Sequence, residues 1–385
     1  MSVQKFYSKT SIVATLLLSF CLASKAALTE AGEAKLSGQG EWEKTLHAAK
    51  EEGQLVLYHA GDYELVFAEF QKKFPEIKLS QWRALGPAMI PRIMAERRGG
   101  KYLADILILG ATSGFTLYKA KVFDPVEPNL LLPEVLDRSK WWQGKHHYID
   151  PEGKYIFSFS KISRVEVAYN TDLVDPQEIK SYWDLLNPKW KGKIVALDPM
   201  SGGAGTSLRF LYHNTELGGK FLKQLLSDME VTISRDDRQI ADWLAQGRFA
   251  ISMLVSPNRM DLDVARKQGL PVHWFGPKDF KEGASLTAGP DNVYMMNQRP
   301  HPNAVKVAVN WLLSREGQMA AQRIMAAKSA DGLDSLRIDI PKDDVPVDSR
   351  RVEGIKYIVT DRAEWMDMKP IRDFINEVKA KDKKP

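Results

Sequence analysis

Residues 194–212 constrain the fold more than any other stretch of this chain. The apolar run Ile194-Val195-Ala196-Leu197 reads as a buried strand, and Ser207 through Tyr212 reads as a helix. Between them lies Asp198-Pro199-Met200-Ser201-Gly202-Gly203-Ala204-Gly205-Thr206, a loop made almost wholly of small residues. A strand that turns through such a loop into a helix belongs to an α/β fold. It aims several backbone N–H groups and the Ser201 and Thr206 hydroxyls at one point, where the helix N-terminus adds partial positive charge. The natural guest is an anion. A tight turn that merely needs glycine reads the same residues without a ligand, and the pattern leaves both readings open. No lysine follows the last glycine and the spacing is not the dinucleotide fingerprint, so nucleotide-binding loops are set aside.

The start of the chain sets the compartment. Lys5 and Lys9 precede an apolar core from Ile12 to Ala23, and Ser24-Lys25-Ala26 supplies the small residues of a cleavage site. Residues 1–26 are read as a secretory signal. Their apolar core is too short to span a bilayer. The single cysteine, Cys21, lies within that leader behind bulky Phe20, so the mature chain is expected to have no thiol, no disulfide and no Cys-ligated metal. The leader carries three Lys and no acid, so the formal charge falls from +5 to +2 (5 − 3) on its removal. Such a weak charge gives no reason to expect nucleic-acid or membrane binding.

The rest of the chain is long enough for two lobes. Short apolar strands are expected at Leu55–Tyr58, Ala104–Leu109, Val165–Tyr169, Lys193–Leu197, Phe249–Val255 and Val272–Phe275. Helical periodicity lies between them: Ile240, Trp243 and Leu244 share a face that Gly247 ends, Asn303 is placed to cap a helix carrying Val305, Val309 and Leu312, and Ser314 to cap the next. Binding loops in such folds sit at the carboxyl ends of strands. Four are polar here: His59-Ala60-Gly61-Asp62-Tyr63, Gly110-Ala111-Thr112-Ser113-Gly114, the Ser201 loop, and Ser256-Pro257-Asn258-Arg259.

Pro300-His301-Pro302-Asn303-Ala304 leading into Trp311-Leu312-Leu313-Ser314-Arg315-Glu316-Gly317-Gln318, together with Val167-Ala168-Tyr169-Asn170 and Tyr182-Trp183-Asp184-Leu185-Leu186-Asn187-Pro188, resembles periplasmic solute-binding proteins of the ferric-iron, thiamine, phosphonate and polyamine group. The resemblance runs from about Gln54 to Gln318. It implies an α/β, two-lobed type II binding-protein fold with an interlobe ligand cleft, and delivery to an ATP-binding-cassette permease in the inner membrane. It implies a periplasmic, monomeric protein with no cofactor and no catalysis. Lobe 1 is expected at residues 47–168 plus 290–330, lobe 2 at 169–289, and a C-terminal extension at 331–385 packs on the lobes and ends in a frayed tail.

The iron-binding branch holds ferric ion with adjacent tyrosines in the fourth loop, a His from the first and a carboxylate from the second. Here the fourth loop has no Tyr and the second has Gly110, although His59 and Asp62 remain, so direct ferric coordination is not expected. A chelated metal stays open. The expected guest is a phosphonate, phosphate ester or carboxylate held by Ser201, Gly202, Gly203, Ala204 and Thr206, approached by Thr112 and Ser113 from the other lobe. His59, Asp62, Ser256, Asn258 and a charge from Arg235 or Arg259 complete the set, and Trp82, Trp141 or Trp142 is available to stack on a ring. An exported hydrolase using Ser201 would need a base and the Gly-x-Ser-x-Gly elbow, which is absent. A sensory binding protein would share fold and cleft.

Overall fold

The computed structural model describes residues 40–165, 167–254, 260–328 and 332–382. The leader and the fourth-loop residues Ser256, Asn258 and Arg259 lie outside the described residues.

Lobe 1 opens with a helix over residues 40–52 (α1). It continues through β1 (Gln54–His59), α2 (Tyr63–Lys73), β2 (Lys78–Arg83), α3 (Gly86–Arg98), β3 (Ile106–Ile108), α4 (Ala111–Lys119), β4 (Phe123–Asp124), the short α5 (Pro133–Leu136) and β5 (Phe157–Ser158). Strand β6 (Ile162–Arg164) leads out of it. Lobe 2 comprises β7 (Val167–Asn170), β8 (Ile194–Leu197), α6 (Gly205–His213), α7 (Gly218–Asp228), β9 (Thr232–Ser234), α8 (Asp237–Ala245), β10 (Ile251–Met253), α9 (Met260–Lys267) and β11 (Val272–Trp274). The chain returns through β12 (Ala284–Thr287) and β13 (Asn292–Met296) to α10 (Pro302–Leu313) and α11 (Arg315–Lys328), and closes with β14 (Tyr357–Val359) and α12 (Lys369–Asp382).

The sheets follow burial. In lobe 1, β1 pairs in parallel with β2 and β3, and returning β13 lies antiparallel to β3, β4 and β5. Central β3 is buried at every residue, as a strand covered on both faces must be, while polar β2 is an edge strand. Lobe 2 has strand order β11-β7-β10-β8-β9, and the crossing strands form a separate small sheet, β14-β12-β6. The chain thus crosses between lobes at β6–β7 and β12–β13. This is the two-lobed α/β fold with an interlobe cleft.

Helix ends show what local sequence can and cannot fix. Gly247 follows α8 at φ +70°, the left-handed residue expected there, and the Ser314 hydroxyl accepts the Gly317 N–H 3.1 Å away at the start of α11. Asn303 does not cap α10. The helix starts one residue earlier at Pro302, and Glu52 from α1 takes the cap from a distance, accepting from Asn303 N–H at 3.0 Å and Ala304 N–H at 2.8 Å. A negative charge at a helix N-terminus is favourable whatever its distance in sequence.

Candidate functional site

The residues of the first two loops sit on lobe 1. His59 ends β1 and is fully buried; its Nδ1 lies 3.2 Å from the Gly61 carbonyl oxygen, to which it donates, and 3.7 Å from the Glu64 carboxylate. Burial holds its pKa below the ordinary value, against the pull of Glu64. Asp62 stands at the N-cap of α2 with its carboxylate 3.0 Å from Arg83. Ser113 is buried against Gly86, where a Cβ would come within 2.4 Å of its Oγ. Thr112 is exposed in the first turn of α4, and its Oγ1 reaches the Met366 sulfur at 3.7 Å.

The Ser201 loop leaves β8 on lobe 2. Asp198 organises it: its carboxylate accepts the Met200 N–H at 3.0 Å and Arg235 Nε at 2.7 Å. Burial alone would raise the Asp198 pKa, but these two bonds overcome it and leave the carboxyl below its usual range. The Ser201 N–H is spent within the turn, donating to the Asp198 carbonyl at 2.8 Å. The Ser201 hydroxyl oxygen is buried and has no hydrogen-bond partner. Gly202–Ala204 form one 3-10 turn and α6 begins at Gly205, so its first N–H groups have no partner further up the helix. The Ala204 side chain faces the lobe 2 core. Arg235, with its side chain 83% exposed, is turned outward on Asp198.

Sequence reading missed Arg209. This buried arginine, one turn into α6, reaches back toward the loop: a Cβ on Gly205 would lie 3.5 Å from its Nη1, and its Nη2 donates to Thr206 Oγ1 at 3.3 Å. Its Nε donates to the Thr360 carbonyl at 3.1 Å. The available signal was the spacing Thr206, Arg209, His213, which puts all three on one face of a helix. No short motif marks the segment that covers this face, residues 360–368, because it arrives from the far end of the chain.

Asp361 ties that segment to the crossing strands. Its carboxylate accepts Thr287 Oγ1 at 2.9 Å and the Ala288 N–H at 2.6 Å, and pairs with buried Lys161 at 3.1 Å. Beside it opens a cavity of about 610 Å³, lined among others by Trp142, His147, Tyr148, Lys161, Tyr357 and Arg362. Of the residues expected from sequence, only the stacking candidate Trp142 lines it. His147, stacked on Trp142 with ring centroids 5.3 Å apart, is pushed down to about 4, by burial first and then by the charges of Lys161, Lys145 and Arg351. Trp141 is a core residue, and Trp82 stacks edge-on against Tyr58 under the Arg92 guanidinium. Among the described residues, no group of three or more His, Cys, Asp or Glu side chains is gathered to hold a metal ion.

Known proteins frame this geometry. Over 154 residues the chain is 29% identical to iron uptake protein A1 of Synechocystis, a match covering 38% of each sequence. It therefore spans well under two thirds of that relative's length. A solved structure from Trichodesmium, IdiA (FutA) in complex with iron and citrate, superposes with a TM-score of 0.60 at 19% identity, covering 86% of this chain and 99% of that one. The binding protein AfuA of Actinobacillus pleuropneumoniae, with fructose-6-phosphate bound, superposes at 0.53 and 18% identity, covering 84% and 97%. At these identities the likeness is one of fold. The profile of the bacterial extracellular solute-binding proteins matches residues 59–319, about two thirds of the sequence, and the chain belongs to that family.

Proposed function

We propose that this protein is the periplasmic solute-binding component of an ABC importer and that it captures a small oxyanion-bearing solute, a phosphonate, phosphate ester or carboxylate, between its lobes. The observation that carries this reading is the Ser201 hydroxyl, buried without a partner beside the start of α6, with the Arg209 guanidinium at Gly205. Gly202, Gly203, Ala204 and Thr206 would contribute backbone N–H groups and a hydroxyl, and Thr112 would approach from lobe 1. Ser113 and His59 are buried within lobe 1 and Asp62 is paired with Arg83, and they would support that wall rather than touch solute. Arg235 would act through Asp198. Binding would shift the lobes toward closure about the crossing strands, and the permease would read the closed form; no bond is made or broken. The sugar phosphate held by the Actinobacillus relative supports an oxyanion head group.

One observation favours a second reading. The Trichodesmium relative carries iron together with citrate. A metal presented inside such a chelate needs few protein ligands and shows carboxylates to the cradle, which agrees with the absence of a metal-ligating cluster among the described residues.

Thermal unfolding of the purified protein against inorganic phosphate, alkyl phosphonates, phosphate esters, citrate, ferric citrate and unchelated ferric ion separates the readings. A ligand at a hundred times its Kd stabilises by about 2.7 kcal/mol, enough for a clear shift in Tm. An oxyanion without metal is expected to give it. Stabilisation by ferric species alone would move the assignment to iron, and no shift with any compound would remove the oxyanion reading.

A further inference from the structure

Residues Thr360–Met368 run between the two lobes. On one side they follow the α6 stripe: Arg209 donates to the Thr360 carbonyl at 3.1 Å and lies 3.8 Å from the Met368 sulfur, and Trp365 stacks on His213 with centroids 4.4 Å apart and planes 2° from parallel. On the other side Met366 meets Thr112, and Ala363 and Met366 pack against the lobe 1 cluster that contains Met89, Leu109 and Phe115. Both ends are anchored. Asp361 holds the crossing strands, and α12 inserts fully buried Ile371 and Ile375 into the lobe 2 core. The segment is therefore built into lobe 2 and the crossing strands, and it presents a thioether and a methyl group to lobe 1.

We infer that Trp365, Met366 and Met368 form a third wall of the cleft and determine its specificity, admitting oxyanions with a small or apolar body and rejecting polyhydroxylated ones. This rests on the reading that the Ser201 loop and Thr112 face the solute. An indole and two thioethers offer a hydroxylated body almost no hydrogen bonding. Each hydroxyl buried against them without a partner costs about an order of magnitude in affinity. An aryl or short alkyl group loses nothing there and gains apolar contact.

The test is calorimetric titration of the full chain with phenylphosphonate and with fructose 6-phosphate. Wild type is expected to favour phenylphosphonate by tenfold or more, and Met366→Gln, which restores hydrogen-bonding capacity, to shrink that ratio at least tenfold. An unchanged ratio would overturn the inference. A ligand-free measurement keeps it separate from the cradle reading. In a Cys21→Ser background a thiol placed by Thr206→Cys is expected to react slowly with a maleimide, and at least tenfold faster when Trp365→Ala and Met366→Ala are added. If neither probe binds but the labelling rates differ as expected, the cradle reading fails and the wall stands as a barrier over α6. If the rates are equal, the segment is no wall.

Discussion

In lobe 1 the imidazole of His59, its Nε2 without a partner, and the hydroxyl of Ser113 are buried inside the protein and the carboxylate of Asp62 is held by Arg83, whereas in lobe 2 the unpartnered Ser201 hydroxyl lies beside the start of a helix and an arginine. Two glycines near helix starts differ as well. Gly114 in α4 lies where a Cβ would meet the buried Tyr294 hydroxyl at 2.0 Å, while a Cβ on Gly205 at the start of α6 would meet only Arg209 Nη1 at 3.5 Å. One side spends its polar and small residues on its own stability. The other sets an unmet hydroxyl at the start of a helix beside Arg209, and a group left unsatisfied in such a place is where an anion gains most.

The largest expected effect breaks the comparison if it fails. Gly114→Ala forces a methyl into a fully buried tyrosine that donates to the Leu109 carbonyl, and is expected to cost roughly 3 kcal/mol. Gly205→Ala is expected to change stability by less than about 0.5 kcal/mol, since its Cβ makes ordinary contact. Urea unfolding of both variants checks the pair; equal losses would mean that the two glycines do the same work.

A buried acid gives lobe 1 a pH signature. Asp291 accepts from Tyr63 Oη at 2.5 Å and from Ser160, yet burial first, and then the nearby charge of Asp361, lift its pKa from 3.8 to about 6. Because the folded pKa is raised, the folded state binds more protons than the unfolded one between those values, and stability falls as pH rises through the window. The loss amounts to roughly 3 kcal/mol for a shift from 3.8 to about 6. His147, lowered to about 4, acts in the opposite sense, its penalty growing as pH falls below 6.5. Asp291→Asn should therefore remove the downward component and leave the His147 rise exposed, so that its stability advantage over wild type grows from pH 4 to 6. Urea midpoints at pH 4, 5, 6 and 7 measure it; parallel curves for the two proteins would show that Asp291 does not titrate there.

On lobe 2 the expected signature is in binding instead. Ser201→Ala removes an unpartnered hydroxyl, so stability should hold within about 0.5 kcal/mol while affinity for an oxyanion falls by about 1–2 kcal/mol, roughly 5- to 30-fold. A stability loss without a binding loss would make Ser201 a turn residue and erase the contrast with lobe 1.

Much of this was legible in sequence because the forces are local. The strand, small-residue loop and helix over residues 194–212 appear as β8, one 3-10 turn and α6, and Gly247 and Ser314 sit at the helix ends their chemistry suits. What was hidden came from distant pairings. Glu52 caps α10 across the lobe, and Arg209 is aimed by a covering segment from beyond residue 359. Burial also overrode chemistry: His59 carries a ligand's side chain at a strand end but lies wholly inside lobe 1. Periodicity cannot report which of two charged neighbours wins a partner, and that decides the smallest effect.

Arg235 was offered from sequence as a charge for the ligand, and its 83% exposed side chain bonds Asp198 instead. An exposed ion pair contributes about 0–1 kcal/mol, so Arg235→Ala should lower stability by no more than about 0.5 kcal/mol. Its effect on oxyanion affinity discriminates between two roles. If Arg235 acts only by steadying Asp198, which also holds the Met200 N–H, the loop keeps its shape and affinity should fall less than about threefold, with little dependence on salt. If it swings off Asp198 to meet the ligand, affinity should fall tenfold or more and the loss should shrink at high ionic strength, because a charge-assisted contact at the surface is screened. Titrations at two salt concentrations decide, and the second outcome would extend the ligand-facing side of lobe 2 from the Ser201 loop to the end of β9.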